Sequence, residues 1–303
     1  MNARNLPVSS ASCDAAADAA NAAAAALLLS ADIGNTNITF GIHDASGRVA
    51  HQWRMASDLR RTEDEYAALL RQFEADDRKP RGEWTGAIIC SVVPALTPIL
   101  EQAIARVHGV DPFVLDADSR MNIRNGYKNP HEVGMDRLAN AAGGRDRYGT
   151  PLIVVDFGTA TTLDVISAKG VYLGGCILPG LDTSAEALFL RTAKLPRISV
   201  VGTPEPLGRT TVESIRSGLF FGAVGAVDGL IERLWDATGE RGRVVATGGL
   251  AERLAVHSRH IELADADLTL HGLWILWQLN RGGAGARARS RKSGRRARSS
   301  ARR

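Results

Sequence analysis

From Leu27 the chain alternates short apolar runs with turns: LLLSADIG, the alternating stretch ITFGI, the turn DASGR, and the run VAHQWRM. Runs of this length bounded by Gly, Asn, Asp and Ser predict two or three strands joined by hairpins. A helix is expected over 62–74, a buried strand reads GAIICSVVP, a second helix spans 95–108, and PFVLD is a short strand. The order is β-β-β-α-β-α-β. From Pro151 it starts again: LIVVDFGTATTLDVISAKGVYLGGCILPG predicts three strands, followed by helices over 182–192 and 211–238, a strand RVVATGG and a last helix ending near Asn280. Two halves of one order, each opened by D-x-G, imply an internal duplication. The expected fold class is α/β: two duplicated domains, 31–149 and 150–280, with mixed sheets flanked by helices and a cleft between them. An Ala-rich extension (1–30) and a basic tail (281–303) are expected to be disordered.

Composition and charge narrow the function less than they first suggest. With 303 residues, 45% of them hydrophobic, the chain can build two domains with real cores. Its formal charge of +4 comes from the tail, where 281–303 holds nine Arg, one Lys and no acid. The remainder carries 27 basic and 33 acidic residues, so it is mildly acidic. Cys13, Cys90 and Cys176 are an odd, widely spaced set without CxxC, which argues against a disulfide framework or zinc site and fits a reducing cytoplasm. His257 and His260 of HSRH could ligate a metal from one helix face, but with no third ligand nearby they read as surface histidines. A signal-peptide reading of the leader is opposed by Asp14 and Asp18, by the near absence of a basic start, and by the Asp32 terminus that cleavage after Ala31 would leave. No run reaches the ~18 apolar residues of a membrane helix, so a soluble protein is expected.

The chemistry concentrates in four stretches. DIGNTNIT (32–39) and DFGTATT (156–162) each follow an apolar run with an aspartate, a glycine two places on, and small hydroxyl or amide side chains. A triphosphate needs backbone N–H groups and hydroxyls close to its oxygens, and glycine lets the backbone approach. Asp32 and Asp156 could then hold a cation against the phosphates. One copy alone would read as a turn; two at matched positions favour a nucleotide. GxxxxGK[ST] and GxGxxG are both absent, which excludes a P-loop and removes the usual argument for a dinucleotide enzyme. The DFG at 156–158 has no kinase-type companions. In GYKNPHEVGMDRLANA, Asp136 and Arg137 stand at a predicted helix N-terminus, able to take a hydroxyl proton and to bind a carboxylate or phosphate; an N-capping Asp with a solvated Arg is the plainer alternative. VATGGLA (245–251) either suits a flat nucleoside face or is a tight turn.

DIGNTNITFGI, SVVP, GYKNPHEVGMDRLANA, VVDFGTATTLDVI, GGCILPGL with RTAKLP, TTVESIRSGLFFG, ATGG and DLTLHGL, in this order, resemble the motif series of type III pantothenate kinases. That family includes proteins called Bvg accessory factor and belongs to the acetate and sugar kinase, Hsp70 and actin (ASKHA, ribonuclease H-like) superfamily. The resemblance runs from about Ala31 to Leu279. It implies ATP-dependent phosphorylation of pantothenate to 4′-phosphopantothenate, the first step of coenzyme A synthesis, with Mg²⁺ and a monovalent cation, K⁺ or NH₄⁺. Carried over by motif, Asp32, Ile33, Gly34, Asn35, Thr36, Asn37, Ile38, Thr39 and Thr159 would bind ATP, and Asp156 the monovalent cation. Tyr127, Gly134, Met135, Asp136, Arg137 and Thr211 would hold pantothenate, with Asp136 as general base; Thr210 competes with Thr211 for its role. The resemblance also implies a homodimer.

Two other readings are weighed beside it. Another enzyme of the same fold, such as a sugar or acetate kinase or a phosphatase, is disfavoured by GMDR followed by GGCILPG. A nucleic-acid-binding or regulatory role is suggested by the basic tail, yet its ten positive charges without aromatics support only non-specific, salt-sensitive binding.

Overall fold

The computed structural model describes residues 25–76 and 78–281, so the leader up to residue 24 and the tail from residue 282 lie outside the described residues. β1 (Ala25–Ile33) pairs antiparallel with β2 (Asn37–His43), which pairs antiparallel with β3 (Val49–Ala56). On its other side β1 pairs parallel with β4 (Gly82–Ser91), and β4 with the short β5 (Phe113–Val114). This five-stranded sheet has the order β3-β2-β1-β4-β5. Leu27, Leu29, Ala31, Ala87 and Ile89 fill the core on one face, against Tyr66, Leu70, Leu100 and Ile104 of α1 (Glu63–Glu74) and α2 (Thr97–His108). Leu28, Ile88 and Cys90 face the other way. Burial on both faces explains why β1 and β4 read as continuous apolar runs. The start of α1 is fixed by a capping box: Glu65 N–H donates to Thr62 Oγ1 (3.3 Å) and Thr62 N–H to Glu65 Oε2 (2.7 Å).

The second sheet repeats this plan. β7 (Leu152–Phe157), β8 (Ala160–Ile166) and β9 (Val171–Pro179) form an antiparallel meander, while β10 (Arg243–Thr247) and β11 (Leu263–Ala264) extend it in parallel beyond β7. The order is β11-β10-β7-β8-β9-β6, where β6 (Arg124–Asn125) is added at the far edge. α4 (Leu181–Arg191), α5 (Thr211–Thr238) and α6 (Ala251–Ala255) accompany it, and Phe220, Val224, Val227 and Ile231 of α5 pack on Ile153, Val155, Val244 and Ala246. The class is therefore α/β, with two mixed sheets flanked by helices.

Two expectations are corrected. The first domain begins at Ala25, not 31, because Ala25–Ser30 already pair with β4. The chain also does not divide at 149/150. One compact unit holds residues 25–122, 131–143 and 269–281, and the other 123–130 and 144–268. The cause is packing: Ala139 and Ala142 of α3 (Met135–Tyr148) and Leu273, Leu276 and Trp277 of α7 (268–281) bury the second face of the first sheet. By length and composition alone α5 could cross a membrane, but its longest apolar run, 219–227, ends at Asp228, short of the ~18 residues a span needs. Its Phe220, Val224, Val227 and Ile231 lie in the core of the second unit, and its Asp228, 3% exposed, accepts from Ser258 Oγ and the Arg259 backbone N–H.

Candidate functional site

The duplication places the two D-x-G aspartates at matched register. Asp32, next to last in β1, lies opposite Thr39 on β2 and Cys90 on β4. Asp156, next to last in β7, lies opposite Thr162 on β8 and Thr247 on β10. Each aspartate is thus flanked by a threonine on the antiparallel side and a small S–H or O–H side chain on the parallel side.

In the first unit the β1–β2 turn is closed by Gly34 N–H donating to Asn37 O (3.0 Å), and it is pinned by Ser57, whose N–H donates to Thr36 O (2.9 Å) and whose Oγ donates to Gly34 O (2.6 Å). Asn35, Thr36 and Asn37 are exposed. Ile33 and Ile38 are fully buried in the core, so among the expected nucleotide residues their side chains have no route to a ligand and only their backbone could serve. Met135 likewise packs partly against the core.

Asp136 occupies the first turn of α3, where unpaired N–H groups and the helix dipole favour negative charge. Its Oδ1 accepts from Arg137 N–H (2.8 Å). Burial nevertheless pushes its pKa above the ordinary carboxylate value, outweighing the Arg137 hydrogen bond and guanidinium that pull it down. Any side chain at Gly134 would collide with Asp136 Oδ1, which accounts for the glycine two residues before. Arg137 is itself buried. Cys90, absent from the expected site, is fully buried on the sheet face that carries α3; burial and the carboxylates of Asp32 and Asp136 push its thiol pKa up, and it hydrogen-bonds Asp32. Its only sequence signal was its place before SVVP.

The second unit carries the remaining residues. Gly248 has φ +91°, and a Cβ there would strike Asp156 Oδ1; a Cβ on Gly158 would lie 3.5 Å from the same oxygen. Thr159 is exposed, and its carbonyl accepts from Gly180 N–H (3.0 Å) and Thr183 Oγ1 (2.7 Å), tying the turn to the start of α4. The Tyr127 ring lies over Gly174, where a Cβ would stand 2.9 Å from Cε2, and 6.3 Å from the ring of Tyr172. Tyr172 Oη donates to Asp164 Oδ1 (2.7 Å), and Thr162 Oγ1 to Asp164 Oδ2 (3.1 Å). This fully buried Asp164 connects the surroundings of Tyr127 to those of Asp156, and β8 alternation was its one sequence signal. Thr210 is the N-cap of α5, its Oγ1 accepting from Glu213 N–H (3.2 Å), whereas Thr211 is the first helical residue and exposed. His257 and His260 lie beyond α6, not on a helix face: His260 Nε2 is 2.8 Å from Glu232 Oε1 and His257 Nε2 is 3.3 Å from Thr203 Oγ1.

Comparison with known proteins bears on the fold and on the family. A Baf family protein of solved structure from Campylobacter jejuni superposes with a TM-score of 0.50 at 19% identity, covering 84% of this chain and 98% of that one, which speaks to the fold alone. A type III pantothenate kinase from Geobacter sulfurreducens is 43% identical over 255 residues, 84% of this chain and all of that protein. Another from Moorella thermoacetica is 42% identical over 254 residues, again 84% of this chain and all of that one. The model of the type III pantothenate kinase family matches residues 28–233. The chain belongs to the type III pantothenate kinase family.

Proposed function

We propose that this chain transfers the γ-phosphoryl group of ATP to the hydroxyl of pantothenate, forming 4′-phosphopantothenate for coenzyme A synthesis, with Asp136 as the general base. The observation that carries the assignment of the base is the half-buried Asp136 carboxylate in the first turn of α3, its pKa raised by burial. A hydroxyl held there by hydrogen bonding to Asp136 passes its proton to the carboxylate as its oxygen bonds to phosphorus and ADP leaves. The loose transition state of phosphoryl transfer asks mainly for positioning and charge neutralisation, so a carboxylate suffices as the base.

The turn Gly34–Asn37 and Thr159 supply N–H and hydroxyl donors for the nucleotide; Tyr127, Arg137 and Thr211 hold the pantothenate. Thr211 is favoured over Thr210 because the Thr210 oxygen already caps α5. The Asp156 carboxylate, with glycine on its approaches and threonines on both sides, suits a monovalent cation with oxygen ligands. That cation and Mg²⁺ would supply positive charge to neutralise the phosphates. A homodimer is supported by α5, where Cβ atoms at Gly218, Gly222 and Gly225 would meet nothing within 4 Å, leaving a bare face for close helix packing. The buried thiol of Cys90, outside any disulfide, is in keeping with the cytoplasm.

Asp136→Asn should lower kcat roughly 10²-fold or more while the protein stays folded and binds ATP. Turnover near that of the parent would remove Asp136 from the role.

A further inference from the structure

We propose that the hydroxyl of Thr247 is a ligand of the monovalent cation at Asp156. This rests on the reading of Asp156 as the cation residue. Thr247 and Asp156 are register partners in the parallel pair β10/β7. Val244, Ala246, Val155 and Phe157 fill the core on one face of the sheet, so the alternating Thr247 and Asp156 share the opposite face.

Thr247 is 1% exposed, and its Oγ1 is buried without a hydrogen-bond partner among the described residues. An orphaned buried hydroxyl is costly, and valine would fill the same space on a strand without that cost. The duplicated fold supplies an internal comparison. Cys90 holds the equivalent position beside Asp32, and its S–H is used on that aspartate. Thr247 has the donor but lacks the bond, which leaves its oxygen lone pairs for something the chain itself does not provide.

The surroundings select the kind of ligand. Asp156 Oδ1 is approached past Gly158 and Gly248, both of which leave the space a side chain would fill. One carboxylate with a neutral hydroxyl oxygen suits a large, weakly hydrated cation such as K⁺. Mg²⁺ instead demands octahedral geometry and keeps several waters.

The test is calorimetric binding of a non-hydrolysable ATP analogue in potassium chloride and in choline chloride at equal ionic strength, for the parent, Thr247→Val, Thr247→Ser and Asp156→Asn. The parent should bind roughly tenfold or more tightly in potassium. Thr247→Val should bring that ratio close to one without weakening binding in choline, and Thr247→Ser should keep it. A Thr247→Val protein with the full potassium ratio overturns the proposal; if Asp156→Asn then loses the ratio, the Asp156 reading stands. A parent with no potassium preference overturns both. Because each variant is compared with itself in choline, general loosening of the fold does not imitate the expected result.

Discussion

Asp136 combines a helix N-terminus, which favours its charge, with burial, which opposes it, and burial is the larger effect. The acid limb of the kcat/KM–pH profile should therefore fall at a pH above the unperturbed carboxylate value of 3.8; a limb at or below that value would contradict the role. The same shift has a stability consequence with a definite sign. A carboxyl whose pKa is higher folded than unfolded favours the fold while protonated, and that contribution is lost as pH rises through the folded value. Asp136→Asn, neutral at every pH, should thus melt no lower than the parent at neutral pH, with any advantage shrinking on acidification to about pH 4. A clear drop in melting temperature at neutral pH would show that the charge is well solvated or paired. GMDR already marked Asp136 in the sequence, but its environment did not show, because burial there depends on how α3 packs on the first sheet. Thr247 and Asp164 were hidden for a similar reason: a threonine before Gly-Gly and an aspartate in an alternating strand acquire meaning only through their neighbours across the sheet.

The long periodic elements were legible almost to the residue. α5 was expected over 211–238 and spans Thr211–Thr238, because the Thr210–Glu213 capping box and Gly239, in the left-handed conformation at φ +68°, mark its ends chemically. The two-residue strands β5, β6 and β11 are too short to carry a period; PFVLD overran β5, and β6 and β11 were not expected at all. What α5 does with its outer face is testable at this scale. Gly222 tolerates a side chain within its own chain, since nothing lies within 4 Å of a Cβ there. If the proposed homodimer packs through this face, Gly222→Leu should remain folded yet run as a monomer where the parent runs as a dimer in light scattering after gel filtration. An unchanged dimer would place the interface elsewhere.

At the scale of the molecule the duplication was the strongest feature of the sequence, and the sheets bear it out in strand order, in direction and in the register of Asp32 and Asp156. The unit boundaries were not legible. Apolar periodicity identifies a helix that must bury a face, but not which sheet receives it, and α3 and α7 pack on the first sheet although α7 follows the whole of the second in sequence. Family membership accounts for both halves, and the account as a whole depends on one activity. The most direct test is ADP release with ATP, Mg²⁺ and pantothenate, measured in potassium and again in sodium. Turnover that requires pantothenate and is supported by potassium but not sodium is the predicted result. ADP release indifferent to pantothenate, or none in either salt, would contradict the assignment of this chain as a working pantothenate kinase.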